Sequence, residues 1–201
     1  MTKTLQSDVL VIGGGLAGIV TAIEALRAGK RVTVVDRDTP ERLGGLALWA
    51  FGGMALVGTA LQARMKIPDT PERALADWLR FGELGEGDVL PRQWATYYTE
   101  HSRSQVHDWL LAEGVKFMPA VNWVERGMNG EGNSLPRYHV VWGTSRELTR
   151  RMVAALHAAG AGGRLTLLHG HRVSALDHSA VHCREMRLQQ RRKVLGHGGG
   201  C

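Results

Sequence analysis

A glycine-rich turn between a strand and a helix is the feature that most constrains the fold of this 201-residue chain. Residues 8–12 (DVLVI) are apolar and β-branched, as expected for a buried strand, and GGGLAG follows at once at residues 13–18. Residues 16–28 have apolar side chains at helical spacing, and residues 31–36 (RVTVVD) form a second strand. Together they have the length of one right-handed βαβ crossover of about thirty residues. The pattern predicts an α/β fold of the Rossmann type.

The sequence GGGLAG fits the pattern G-x-G-x-x-G, in which each glycine has its own physical task. We expect Gly13 to turn the chain out of the strand, Gly15 to let a diphosphate approach the backbone, and Gly18 to let the helix pack closely on the sheet. The N-terminus of the helix then offers N–H groups and a partial positive charge to the pyrophosphate. The motif lies between a strand and a helix, and it therefore predicts a dinucleotide site.

Asp36, at the end of the second strand, is the expected partner of the adenosine ribose. A carboxylate at this place can accept hydrogen bonds from the ribose hydroxyls, and it repels a 2′-phosphate, which disfavours an NADP-type ligand. The structural alternative is an aspartate that only caps the turn after its strand. The motif does not distinguish FAD from NAD, so an NAD-dependent oxidoreductase stays open as an alternative.

Two glycine pairs that follow the second strand favour FAD. They are Gly44-Gly45 and Gly52-Gly53, and a second glycine cluster here can bring backbone close to the pyrophosphate and the flavin. The alternative is a flexible glycine loop without a ligand. A second point in favour of FAD is that the chain then leaves the Rossmann unit for a helical insertion before it returns to a strand.

The rest of the chain predicts that helical insertion and a return to the sheet. Residues 70–79 and 91–113 have helical patterns, and Gly114 is placed to end the second. The other predicted elements are an irregular stretch at 43–57, loops at 81–88 and 122–136, short strands at 115–117 and 138–142, a helix at 145–159 and a closing strand at 165–173. After about Ala175 apolar periodicity is weak and basic residues are frequent, which predicts a poorly ordered tail or a short exposed helix.

Composition narrows the classes of protein. The net charge of +6 is compatible with anionic ligands, but no basic stripe with interleaved aromatic residues indicates nucleic-acid binding. The two cysteines, Cys183 and Cys201, form neither a disulfide framework nor a zinc motif, which fits the cytoplasm. We expect no signal peptide and no membrane span, and the sequence does not predict an oligomeric state.

Several segments resemble one flavoprotein superfamily. Residues 7–36, LGG at 43–45 and WAFGG at 49–53 resemble the FAD-binding dehydrogenases of the fumarate reductase and 3-ketosteroid Δ1-dehydrogenase superfamily. PRQW at 91–94, WVERG at 123–127, GNSLPRYH at 132–139 and WGT at 142–144 resemble its FAD-binding dehydrogenase branch more specifically. The similarity covers residues 5–174. It implies a GxGxxG-type FAD-binding domain, a small-molecule substrate and flavin-mediated dehydrogenation, in which hydride passes from carbon to flavin; a steroid-like ketone is one such substrate.

The resemblance also implies which residues hold FAD. Gly13, Gly15, Gly18 and Asp36 hold the ADP half, and Gly44 and Gly45 lie along the pyrophosphate and flavin. A strand-end valine meets the adenine through its backbone, although a plain core valine is the alternative. The candidate cofactor-binding residues are Gly13, Gly14, Gly15, Leu16, Ala17, Gly18, Asp36, Arg37, Gly44, Gly45, Gly53 and Val173.

The resemblance divides the chain into four parts. They are an FAD-binding βαβ unit with its glycine-rich loop at 1–66, a helical insertion or partial cap at 67–142, a return to the FAD domain at 143–174, and an unmatched basic tail at 175–201. Superfamily members are usually much longer, and their second half carries more of the cap, the catalytic tyrosines or arginines and a late glycine motif. We therefore expect a domain that is incomplete at its C-terminus, with weak FAD binding and little or no turnover. An inactive fragment is the corresponding alternative.

Other polar groups have weaker functional interpretations. His178 and His182, with Cys183 adjacent, would share a helix face, but we predict no metal site because no third ligand has a typical spacing. His169 and His171 are expected as exposed positions on one face of the closing strand. Packing is the preferred interpretation of Tyr97, Tyr98 and His101, while Arg137, Tyr138 and His139 lie near the expected active side. No residue is assigned a catalytic role.

Overall fold

The computed structural model describes residues 5–122, 131–179 and 182–190, with residues 177–179 and 182–190 described by their backbone. The chain forms two compact units, one that runs up to Leu48 and resumes at Met152, and the other from Trp49 to Arg151. The regular elements are β1 (Val9–Ile12), α1 (Leu16–Arg27), β2 (Val32–Val35), β3 (Gly53–Ala55), α2 (Ala60–Arg64), α3 (Pro71–Phe81), α4 (Val89–His101), a π-helix (Ser102–Asp108), α5 (Trp109–Ala112), β4 (Phe117–Asn122), β5 (Tyr138–Val141), α6 (Thr144–Ala159), β6 (Leu165–Leu168), β7 (His171–Ser179) and β8 (His182–Gln190).

The first unit contains a parallel sheet in the order β1-β2-β6. Strand β2 lies in the middle, and its four residues VTVV are all buried, as expected for a strand covered on both faces. The register pairs Val9 with Val32 and Val32 with Leu165. The predicted strand, helix and strand at the start of the chain are therefore present, and the fold is α/β.

Helix α1 connects β1 to β2 and covers the sheet with one apolar stripe. Ile19, Ala22, Ile23 and Leu26 on this stripe are fully buried. Burying a side chain as large as isoleucine or leucine stabilises the fold by about 1.5–3 kcal/mol relative to leaving it exposed. Gly29 follows the helix with a φ of +80°, a backbone conformation that glycine adopts without steric cost and that ends α1.

The closing strand predicted at 165–173 is wrong as a single element. Gly170 has a φ of +71° and turns the chain between β6 and β7, so His169 lies in a turn and does not share a strand face with His171. The tail predicted after Ala175 also differs, because β7 and β8 form an antiparallel hairpin in which Val173 pairs with Leu188. The alternation of Met186, Arg187 and Leu188 has the period of a strand, a signal outweighed in the prediction by the frequent basic residues. Residues 191–201 lie outside the described part.

The second unit contains an antiparallel sheet in the order β3-β5-β4 together with the helices of the insertion. The helix predicted at 91–113 is interrupted by the π-helix, which follows α4 directly and precedes α5. Gly114 ends the segment with a φ of +78°, as predicted. The strand expected at 115–117 begins later, at Phe117, because Val115 is buried ahead of the ladder with β5.

The unit boundaries differ from those expected at 66 and 142. Strand β3 pairs with β5, and this ladder brings the segment from Trp49 onward, with Gly52 and Gly53, into the second unit. Helix α6 continues across the other boundary, so its first turns belong to the second unit and its last turns to the first.

A buried ionic network organises the second unit. The Arg137 guanidinium donates to both carboxylate oxygens of Asp69, each at 2.8 Å, and to Oδ2 of Asp77 at 2.7 Å. All three side chains are almost completely buried. Burial alone would lower the pKa of Arg137, but the hydrogen bonds from the two carboxylates outweigh it and raise that pKa. The network fixes the segment before β5 to α3 and to the residues that precede α3.

Candidate functional site

The turn after β1 has the geometry expected of a fingerprint glycine. Gly13 has a φ of +101°, a region that side chains disfavour, and its N–H donates to the carbonyl of Val35 at 2.8 Å. Helix α1 packs against this turn so closely that a Cβ on Gly18 would lie 1.9 Å from the Gly13 carbonyl oxygen. The first and last glycines of the motif are thus explained by the turn and by the packing of the helix.

Gly15 requires neither the positive φ of Gly13 nor the close packing of Gly18, since its φ is −72° and its surroundings are open. It is the N-cap of α1 in an extended conformation, and its side of the turn has no atom within 4 Å of where a Cβ would lie. No side chain caps this end of the helix among the residues that the structure describes. Leu16 and Ala17 form the first turn, so the backbone N–H groups of this turn and the positive end of the helix dipole border the open space. A diphosphate fits this environment.

Asp36 connects the end of β2 to the glycine turn. Its Oδ2 accepts a hydrogen bond from the N–H of Gly14 at 2.6 Å, and its Oδ1 accepts one from the N–H of Asp38 at 2.7 Å. The side chain is half-buried. Asp36 therefore caps its own turn, as the structural alternative expected. Each carboxylate oxygen still has a second lone pair, which leaves capacity for ribose hydroxyls.

Gly44-Gly45, called the second glycine pair from here on, lies directly against the fingerprint turn. The N–H of Gly44 donates to the carbonyl of Gly14 at 2.7 Å, and Gly15 and Gly44 form an isolated parallel bridge. A Cβ on Gly45 would lie 3.7 Å from the Cα of Gly15. Gly44 and Gly45 have φ values of +108° and +60°, so both use the conformational freedom of glycine. The structure thus brings together two glycine segments that are separated by β2.

The remaining candidates are Arg37, Val173 and Gly53. Arg37 is exposed immediately after Asp36. Val173 is half-buried in β7, the strand whose first residue, His171, donates from its N–H to the carbonyl of Asp36 at 3.0 Å. Gly53 lies in β3 of the second unit, where a Cβ would lie 2.1 Å from the ring of Tyr138. Packing under that ring is sufficient to explain the glycine at position 53.

The sequence analysis did not single out Leu43, which is buried beside the fingerprint turn with only 6% of its surface exposed. Its Cδ1 atom occupies the space next to Gly14, 2.6 Å from where a Cβ of that glycine would lie. The sequence does contain a signal for this role, because Leu43 is a single large apolar residue immediately before Gly44 and Gly45.

The polar residues of the second unit have structural partners. Tyr97 donates its hydroxyl to Gln105 at 2.9 Å and its ring stacks on His101, while burial raises the pKa of Tyr98. His139 is fully buried, and burial lowers its pKa. In its neutral form Nδ1 donates to the Arg137 carbonyl and Nε2 accepts from the Thr59 hydroxyl, each at 2.7 Å. These contacts explain the residues without a ligand.

Among the side chains that the structure describes, in residues 5–122 and 131–176, no three His, Cys, Asp or Glu come together in a way that could hold a metal ion. In the same part of the chain no helix has the length and the apolar character needed to cross a membrane. The similar segment at 123–127 and the C-terminal Cys201 are outside the described part.

Comparison with protein families gives a match to the FAD binding domain over residues 8–198. This range continues past Ala175 and so includes most of the segment that sequence analysis separated as a basic tail. A KsdD-like steroid dehydrogenase of Mycobacterium tuberculosis is 41% identical over 156 residues, which are 76% of this chain and 28% of the relative. A fumarate reductase (cytochrome) of Shewanella frigidimarina is 33% identical over 132 residues, 66% of this chain and 21% of that protein.

Among solved structures, 3-ketosteroid-Δ4-(5α)-dehydrogenase from Rhodococcus jostii RHA1 in complex with 4-androstene-3,17-dione has the same fold. The TM-score is 0.74 with 24% sequence identity, and the similarity covers 92% of this chain and 42% of that structure. The chain therefore spans less than a third of the length of the curated relatives reported above and less than half of this structure.

Proposed function

This chain belongs to the FAD binding domain family of oxidoreductases, and we propose that its two glycine segments and Asp36 hold the ADP half of FAD. The observation that carries the proposal is the open, uncapped end of α1 at Gly15, bordered on one side by Gly44 and Gly45 and on another by the carboxylate of Asp36. A diphosphate has room only where no side chain is present, and at Gly15 such room adjoins the N-terminus of α1.

Each part of this site has a separate task. The N–H groups of the first turn of α1, at Leu16, Ala17 and Gly18, face the pyrophosphate, whose negative charge the helix dipole stabilises. Asp36 accepts hydrogen bonds from the ribose hydroxyls with the lone pairs that Gly14 and Asp38 leave available. Gly44 and Gly45 continue the backbone surface along the pyrophosphate toward the flavin.

Arg37 and Val173 border the adenosine end in this proposal. Arg37 follows Asp36 directly and is exposed, so its guanidinium can contact the adenosine or a phosphate. Val173 lies in β7, which is hydrogen-bonded to the end of β2 through His171, and its backbone is suited to contact the adenine edge. Gly53 is retained as a candidate contact only by its place in the sequence, because Tyr138 already explains it.

For a longer protein that contains these residues, we propose dehydrogenation of a ketone of the steroid class. The support is the 41% identity to a KsdD-like steroid dehydrogenase over three quarters of this chain. When bound, FAD supplies an acceptor for hydride, and the residues of this chain bind and orient it. Asp36 suits FAD and NAD equally, but the family match favours FAD over an NAD-dependent reaction.

We further propose that the 201 residues alone bind FAD weakly and do not turn over substrate. The matched residues are only 28% and 21% of the two relatives reported above, so a larger part of those proteins is available to cover the flavin. In the part of the chain that the structure describes, the side of β1 away from β2 has no neighbouring strand, and Ile12 in β1 is half exposed. An open edge of this kind weakens the sheet on which the site is built.

Thermal unfolding with and without cofactors tests the proposal. A ligand that binds only the folded state raises the melting temperature, so FAD should raise it and NAD should not. The visible spectrum of the FAD-loaded chain should then show flavin bands that do not bleach when 4-androstene-3,17-dione is added without oxygen. A rise with NAD alone would contradict the cofactor assignment, and bleaching by the steroid would contradict the proposed lack of turnover.

A further inference from the structure

The second glycine of the fingerprint occupies a position where the pattern G-x-G-x-x-G allows any residue, yet its surroundings leave no room for a side chain. Gly14 is buried, and a Cβ on it would lie 2.6 Å from Cδ1 of Leu43 and 3.0 Å from Oδ2 of Asp36. The φ angle of Gly14 is not in the left-handed region, so the backbone itself would accept an alanine. Glycine at this position therefore provides space for Leu43 and Asp36.

Leu43 is placed so that its contact with Gly14 affects the second glycine pair. Its N–H donates to the carbonyl of Pro40 at 3.2 Å, which closes the short 3-10 turn Pro40–Arg42. The next residue, Gly44, donates its N–H to the carbonyl of Gly14 at 2.7 Å. The side chain of Leu43 and the backbone of Gly44 therefore hold the same glycine from two directions.

We propose that Leu43 is a positioning residue for the cofactor. Its side chain packs on the bare Cα of Gly14 and fixes Gly44 and Gly45 against the fingerprint turn before FAD binds. Both backbone surfaces that face the pyrophosphate are then already in place, and binding does not have to order the second one. This inference rests on the proposed function, because it assigns Leu43 a role in the same site.

The contact predicts compensation between positions 14 and 43. In Gly14→Ala the new methyl group meets Cδ1 of Leu43, so the variant should melt at a lower temperature and bind FAD about tenfold more weakly. Leu43→Ala removes the packing that holds the second glycine pair and should weaken FAD binding by a similar factor. In the double variant the methyl group introduced at position 14 occupies part of the space left by Leu43, so the two losses should not add.

The experiment is a double-mutant cycle with two readouts, the melting temperature without cofactor and the dissociation constant for FAD far below that temperature. The expected double variant binds FAD about tenfold more weakly than wild type, whereas independent effects would multiply to about a hundredfold. Leu43→Met and Leu43→Val extend the series if Leu43→Ala does not fold, and Leu43→Met should retain most of the affinity. Leu46→Ala, at a leucine that is 89% exposed, is the control for the melting temperature.

The two readouts separate a positioning role from a merely structural one. If Leu43 only stabilised the fold, its variants would melt earlier while the folded protein bound FAD as tightly as wild type, and this result would overturn the inference. Strictly additive losses for the double variant would overturn it as well. If the wild type itself bound no FAD, the proposed function would fail. The inference about Leu43 would then fail as well, and the wild-type titration would identify the missing FAD site as the cause.

Discussion

Oδ2 of Asp36 lies 2.6 Å from the backbone nitrogen of Gly14, so the side chain that follows β2 is bonded to the turn that follows β1. The ends of the two strands are thus linked by a hydrogen bond to a charged group in addition to the ladder between them. Such a bond contributes about 1.5–3 kcal/mol, roughly twice a neutral one. The geometry of the glycine turn consequently depends on the same carboxylate that is proposed to bind the ribose.

Replacing Asp36 by asparagine tests this double role. Asp36→Asn retains the size of the side chain but removes the charge, so FAD binding should weaken about tenfold to a hundredfold. The dissociation constant can be measured from the change in flavin fluorescence. The matched control is Asp38→Asn, two residues further on. It keeps the backbone N–H that donates a hydrogen bond to Asp36. Equal affinity of Asp36→Asn and wild type would show that the carboxylate does not contribute to the site.

The packing of α1 on the glycine turn gives a prediction about stability. In Gly18→Ala the new Cβ would lie 1.9 Å from the Gly13 carbonyl oxygen, which is backbone and cannot rotate away. We expect a loss of about 1–3 kcal/mol in the free energy of unfolding, measured by urea denaturation. Gly87→Ala, where no atom lies within 4 Å of the new methyl group, should change the stability little. A Gly18→Ala protein as stable as the Gly87→Ala control would refute the close packing.

The buried network of the second unit predicts a large effect for one arginine. Arg137→Met leaves Asp69 buried without its cationic partner and Asp77 with Arg80 alone, which should cost about 3–5 kcal/mol of stability. The exposed pair of Arg150 with Glu147 provides the comparison, and Arg150→Met should change the stability little. Urea denaturation of both variants measures the difference. Similar losses for the two arginines would mean that Arg137 is not buried as described.

The same network predicts how stability depends on acid. Burial alone would raise the pKa of Asp77, but hydrogen bonds from Ser134, Arg137 and Arg80 outweigh it and lower the pKa from 3.8 to about 2. Because the folded-state pKa is lowered, the contribution of Asp77 is fully present above pH 4 and is lost as the pH falls toward 2. It amounts to about 2 kcal/mol.

Urea denaturation between pH 6, roughly two units above the unfolded-state pKa of Asp77, and about pH 2, near its folded-state pKa, measures this loss. Asp77→Asn has no carboxylate at this position, so its stability should fall less steeply over the same range. Ser134→Ala removes one donor and serves the same purpose if Asp77→Asn does not fold. An acid profile of Asp77→Asn as steep as that of wild type would assign the loss to other carboxylates.

The fingerprint and its strands could be predicted from the sequence because their signals are local. The run DVLVI, the three glycines and the apolar spacing of α1 each lie within one element, and the structure has all of them. The same applies to the end of the helical segment at Gly114. Residue roles in the FAD site stay predictions, since only their arrangement is described.

The features that sequence analysis missed depend on contacts between distant residues or on competing local signals. Leu43 lies beside Gly14, and Tyr138 covers Gly53, but neither pairing has a sequence pattern that indicates it. The π-helix that interrupts the predicted helix is visible only in its hydrogen bonds. The β7–β8 hairpin was missed because the basic composition of the segment was given more weight than its alternation.

Competition between nucleotides at the glycine turn tests the central claim most directly. FAD is titrated into the chain while flavin fluorescence is followed, and the titration is repeated with excess ADP, with excess FMN, and with Gly15→Ala. If the chain holds the ADP half of FAD, ADP displaces FAD, FMN does not, and Gly15→Ala loses affinity although its melting temperature without cofactor is unchanged. Displacement by FMN but not by ADP, or full affinity in Gly15→Ala, would contradict the account.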